Sequence, residues 1–238
     1  MSWIAGGKKT ITDRYGESGN TVPMHLARPF TLALALTLVA IAGSQEPLNL
    51  GTAQSNVKTY YNSGRYEKDL RVVINKATRF LKTAAAKPGK KAIVFDIDDT
   101  CLSNYPIERE TGFGFVPYLW NDWAFGATAP AIQPTHGLYE LARAKGVDVF
   151  FITGRKENLR GCTEENLRRR GFGEYTALIM KPETYDKPSV IPFKSGARKQ
   201  IAQQGYRILA SVGDQWSDLK GGYAERTFKL PNPMYFIP

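Results

Sequence analysis

Two cysteines, Cys101 and Cys162, are too few for a disulfide framework in a chain of 238 residues. They could pair in an oxidising compartment, but two separate thiols are the expectation. There is no Lys/Arg-rich tract of the kind that forms a nucleic-acid-binding arm, so no nucleic-acid partner is expected. Nothing in the composition marks a disordered or fibrous chain: 42% hydrophobic and 23% charged residues are ordinary for a globular protein. The net charge of +10 makes the surface attractive to anions without naming one.

Only residues 29–43, PFTLALALTLVAIAG, form a long uncharged apolar run. It is short for a membrane span, which needs about 20 apolar residues. His25 and Arg28 precede it, and Ala40, Ala42 and Gly43 supply small residues where a peptidase could cut. That is the pattern of a secretory signal peptide over about residues 24–43, with an uncleaved anchor as the alternative. No cysteine follows that would take a lipid. Met24 is expected as the start, which makes residues 1–23 an upstream extension. The expected location is secreted, or periplasmic within the cell envelope, with no stable membrane insertion after cleavage.

Residues 45–56 read as a polar, extended lead-in. Over residues 66–86, Leu70, Val73, Ile74, Ala77, Phe80 and Leu81 recur at steps of three and four, which predicts an amphipathic helix ended by Lys87-Pro88-Gly89. Four short apolar runs, residues 92–95, 147–152, 177–180 and 206–212, read as buried strands. Helical stretches at 137–145, 156–170 and 194–204 separate or follow them. Strands alternating with helices predict an α/β fold with a parallel sheet and helices on both faces. Residues 102–135 break the alternation. This segment is far longer than the usual connection of about 2–6 residues. It carries Tyr105, Phe113, Phe115, Tyr118, Trp120, Trp123 and Phe125. It is expected to be a small cap over the carboxyl edge of the sheet; the plainer alternative is a helix on the side of the core with its rings buried.

Each predicted strand ends in polar residues: Asp96, Asp98, Asp99 and Thr100 after the first, Thr153 after the second, Asp214 and then Asp218 after the fourth. Ligands of doubly wound sheets bind outside the carboxyl ends of the strands, so these groups should converge. Clustered carboxylates repel one another and call for a cation. An all-oxygen set of this charge suits Mg2+, which leaves room for water and phosphate oxygens.

The run VFDIDDTCL resembles the first motif of the haloacid dehalogenase (HAD) superfamily, FFITGR the second and GDQWSDL the fourth. FKSGARKQI, GYRILASVGDQWSDL and TFKLPNPMYFIP resemble subfamily IIIB acid phosphatases, which include bacterial acid phosphatases and plant vegetative storage proteins. The likeness runs from Val57 to Pro238. It implies a HAD-like Rossmannoid three-layer sandwich over residues 44–238 with a small aromatic-rich cap insert at 102–135. It implies that Asp96 attacks phosphorus, that Asp98 is the acid and base, and that Asp96, Asp214 and the main-chain carbonyl of Asp98 hold Mg2+. Thr153 and Gly154 would bind the phosphoryl group, and Asp218 would support the metal or orient a lysine. Strand-end geometry favours Lys181 as that lysine, whereas the resemblance favours Lys194. The presence of Asp98 argues for a phosphatase, since a dehalogenase has no alcohol to protonate. Tyr105, Trp120 and Trp123 are candidates for the substrate pocket, where they would stack on a nucleotide. The implied activity is hydrolysis of small phosphomonoesters by an exported acid phosphatase; a non-catalytic storage or ligand-binding relative and a phosphotransferase are the alternatives.

Overall fold

The computed structural model describes residues 46–238. The expected extension, signal peptide and start at Met24 lie outside the described residues. No helix among the described residues is long and apolar enough to cross a membrane.

The chain orders as α1 (Leu50–Asn62), α2 (Arg65–Ala84), β1 (Lys91–Phe95), α3 (Tyr105–Glu110), α4 (Pro117–Gly126), α5 (Gln133–Ala144), β2 (Asp148–Lys156), α6 (Arg160–Arg169), β3 (Ala177–Lys181), α7 (Ile191–Gln203), β4 (Arg207–Gly213), α8 (Trp216–Leu219) and β5 (Ala224–Lys229). The sheet has the strand order β3-β2-β1-β4-β5, and every pairing is parallel. This is the α/β sandwich that the sequence predicts. Side chains alternate across a strand, and the two cores follow that alternation. Ile93 and Phe95 of β1 pack with Leu70, Ile74 and Leu81 of α2 and Leu138 of α5. Ala92 and Val94 face the other way, onto Ala197 and Ile201 of α7.

Three elements depart from expectation. The extended lead-in is in fact helix α1. Asn49 caps it by accepting from the Gly51 and Thr52 N–H groups, and the helix buries no residue. A helix with no buried side chain writes no apolar period into the sequence. Tyr61 holds it instead, stacked between Tyr66 and Tyr105 with 4.0 Å between ring centroids on each side. Strand β5 escaped notice because it is an edge strand that buries only Phe228. Strand β2 continues to Lys156, so Thr153, Gly154 and Arg155 lie within its end.

The insert contributes α3, α4 and the start of α5. Its base is closed by the N–H of Ile132 donating to the Cys101 carbonyl and by the bridge from Leu102 to Ala131. Cys101 is buried and Cys162 half-buried, and both are free thiols.

Candidate active site

The carboxyl ends of β1, β2 and β4, the first turn of α7 and residues 231–238 surround one cavity of about 430 Å³. Asp96 follows β1 directly, its N–H still donating to Val212 of β4, and it is 5% exposed. The Lys194 ammonium stands 2.5 Å from one Asp96 oxygen and 2.6 Å from an Asp218 oxygen. Both lysines in question line the cavity, but the one that bridges the carboxylates is Lys194, which enters from α7; Lys181, at the end of β3, forms no ion pair among the described residues.

Asp96, Asp214 and Asp218 are buried and each offers an oxygen within 4.8 Å of the others. Asp214 accepts from the Thr100 hydroxyl at 3.2 Å, the Gln215 amide at 2.9 Å and the Asn232 amide at 2.6 Å. Asp218 accepts from the N–H of Gln215 at 2.8 Å. Its close seat needs Gly213, where a Cβ would come within 2.5 Å of the Asp218 Cβ. Burial pushes the Asp214 carboxyl up to about 7, with Asp218 and Asp99 adding to it. Burial likewise drives Asp96 upward; Lys194 pulls it down, but Asp218, Asp214 and Asp98 oppose that pull. One ammonium therefore does not balance the group. Three oxygen donors with surplus negative charge fit a hard divalent cation.

Asp98 lines the same cavity but turns its carboxylate away from this group. Arg155 grips it through Nε at 3.1 Å and a terminal nitrogen at 2.7 Å, and Asn104 donates to it at 2.9 Å. Burial works to raise Asp98, yet Arg155 and Asn104 outweigh it and hold the carboxyl below its ordinary value. The Asp98 side chain thus stands apart from the group, and its main-chain carbonyl is the expected ligand; Asp218, expected as a support, stands within the carboxylate group.

Gly154 lines the cavity. The Thr153 hydroxyl is fully buried and accepts from the N–H of Arg155 at 3.1 Å. The aromatic expectation needs correcting. Trp120 lines the cavity together with Phe113 and Phe115. Tyr105 does not, because its ring is stacked on Tyr61 and its hydroxyl donates to Asn62. Trp123 does not either: its ring packs on the core and its indole N–H donates to Asn104 at 2.9 Å.

Sequence reasoning passed over Arg155, Asn104, Glu108 and the wall formed by Tyr235, Phe236 and Ile237. Arg155 was within reach, since it completes the FFITGR motif. The segment 231–238 carried a family likeness without a role.

A family model described as HAD superfamily, subfamily IIIB (acid phosphatase), matches residues 41–238. A stem 28 kDa glycoprotein of Glycine max is 36% identical over 186 residues, 76% of this chain and 73% of that one. Acid phosphatase 1 of Solanum lycopersicum is 35% identical, with the same shares covered. The crystallised class C acid phosphatase of Bacillus anthracis superposes with a TM-score of 0.65 at 26% identity, over 79% of this chain and 86% of that one. With an aspartate-lined, lysine-bridged cavity at the carboxyl edge of its parallel sheet, the chain belongs to the HAD superfamily, subfamily IIIB, the acid phosphatases, and is a phosphomonoesterase.

Proposed function

We propose that the protein hydrolyses small phosphomonoesters in two steps through an aspartyl phosphate on Asp96, with Mg2+, after export from the cytoplasm. The observation that carries this reading is the Lys194 ammonium bridging Asp96 and Asp218 beside Asp214, with a separately held carboxyl, Asp98, in the same cavity. Asp96, Asp214 and the main-chain carbonyl of Asp98 would hold the Mg2+, which when bound neutralises charge on the phosphoryl oxygens.

An Asp96 oxygen forms a bond to phosphorus as the ester bond to the alcohol breaks. The departing alkoxide takes a proton from Asp98. Asp98 forms an ion pair with Arg155, which favours its anion. A phosphoryl dianion arriving beside it raises its proton affinity, so Asp98 takes up a proton from solvent and enters the step as the acid. Once ionised, Asp98 takes a proton from water as that water attacks the phosphorus, and Asp96 leaves as carboxylate. Lys194 holds Asp96 in place and offers its charge to the phosphoryl group, while Gly154 bounds the phosphoryl pocket and Thr153, buried behind it, holds the Arg155 N–H. The insert walls the leaving-group side through Phe113 and Phe115, which lie between α3 and α4, and Trp120 of α4. A nucleoside monophosphate would have Trp120 to stack on, although Arg155 already stands 5.9 Å over that ring. Export rests on the signal-like segment at residues 24–43.

The test is turnover of p-nitrophenyl phosphate by the purified protein with Mg2+, alongside Asp96→Asn. Wild type should turn over and lose activity on chelation, and the variant should lose several powers of ten in kcat. Comparable turnover by both, or full activity after exhaustive chelation, refutes the mechanism.

A further inference from the structure

Glu108, in α3, is 8% exposed, yet it forms part of the cavity wall. Among the described residues no donor reaches its carboxylate. The candidates nearby are engaged elsewhere. Arg155 turns its guanidinium to Asp98 and Thr163, and Asn104 gives its amide hydrogens to Asp98 and Asp99. The Thr111 hydroxyl bonds main-chain carbonyls. Burial, with a contribution from Asp98, pushes the Glu108 carboxyl up to about 7. A carboxylate on so buried a residue, lining the cavity with no donor from the described residues, favours a ligand that brings one.

The company it keeps narrows what that something is. Phe113, Phe115 and Trp120 share the wall with Glu108. Aromatic faces attract cations, most strongly where water is excluded, and a carboxylate among them adds a counter-charge. The phosphoryl end of the same cavity is served by Lys194, with Lys181 also lining it. One cavity thus offers positive groups to a phosphate and a negative group among rings to whatever the phosphate is attached to.

We propose that Glu108 binds a cationic nitrogen on the leaving group, so that the preferred substrates are phosphate monoesters of amino alcohols. The inference rests on the phosphatase reading above and adds its substrate class. Here the Glu108 carboxylate receives the ammonium N–H groups, and the rings cover the remaining faces of the cation. Phosphate esters with a plain alkyl group leave the carboxylate unpartnered.

The experiment compares kcat/KM for 2-aminoethyl phosphate with that for propyl phosphate, in which a methyl group replaces the ammonium. Wild type should favour the amine by about tenfold or more, and Glu108→Gln should bring the ratio close to one. A wild-type ratio of one or below overturns the proposal without any variant, and so does a ratio that Glu108→Gln leaves unchanged. Turnover of p-nitrophenyl phosphate by the same wild-type preparation separates the two failures. Turnover with a ratio of one removes the amino-alcohol class alone, whereas absence of turnover removes the phosphatase reading.

Discussion

Asn104 has no exposed surface and stands between Trp123 and Asp98. An amide can present either end to a neighbour, but an indole N–H only donates. Trp123 therefore fixes the carboxamide with its oxygen toward the ring and its NH2 toward Asp98. Trp123→Phe keeps a ring in the core and removes that constraint. The carboxylates of Asp98 and Asp99 still hold the NH2 end, but the carboxamide oxygen loses its donor and the amide is free to tilt, which loosens the group that handles the proton. Loss of a buried partner costs about 1–3 kcal/mol, so a kcat reduction of about tenfold with KM nearly unchanged is expected in steady-state kinetics. An equal effect on KM alone would place Trp123 in contact with substrate instead. The residues at strand ends, Asp96 and Asp214, were legible because chain direction and strand period locate them. Asn104 and Glu108 were not, since their roles depend on which donors lie across space, and neither spacing nor composition records that.

At the scale of elements, α7 grips the segment after β4 at two points one helical turn apart. Lys194 takes the Asp218 carboxylate, and the fully buried Arg198 donates to the main-chain carbonyls of Asp218, Leu219, Lys220 and Gly222. The segment closes on the helix at Gly221, where φ is +91° and a Cβ would lie 2.4 Å from the Ser195 Cβ. Gly222 has a φ of +81° but nothing within 4 Å of its Cβ position. Alanine at either site carries the strain of a left-handed backbone, of order 1 kcal/mol; only at 221 does it also push the segment off α7. Gly221→Ala should therefore melt well below Gly222→Ala and lose more kcat, as differential scanning calorimetry and p-nitrophenyl phosphate turnover would show. Equal melting temperatures would mean that the contact with Ser195 yields freely. The buried strands β1 to β4 were readable as apolar runs, and α2 as a period. Helix α1 and strand β5 were not, because one is held by ring stacking and the other by edge pairing, and neither needs a run of apolar side chains.

Across the whole molecule, the site is complete only when residues 231–238 are in place. The Asn232 amide bonds Asp214, the Tyr235 hydroxyl donates to Asp99 at 2.7 Å, and Gln215 bonds the main chain at Tyr235 and Ile237. Removing residues 231–238 takes one donor from Asp214 and one wall from the cavity while leaving the sheet its five strands. Loss of such a supporting bond typically weakens metal affinity by about 10–100-fold. The shortened protein should need correspondingly more Mg2+ to raise its melting temperature, a readout that does not depend on turnover. An unchanged Mg2+ titration would show that the segment walls the cavity without tuning Asp214.

That segment is also the part of the site the ribosome makes after all the others. A growing chain that has passed Asp218 already holds the nucleophile, the acid–base group and the bridging lysine, yet it lacks the strap that ties Asp214 and Asp99 together. A chain that stops between β5 and Asn232 keeps the sheet and the groups it carries but not this strap, so the site takes its final form after the fold that bears it.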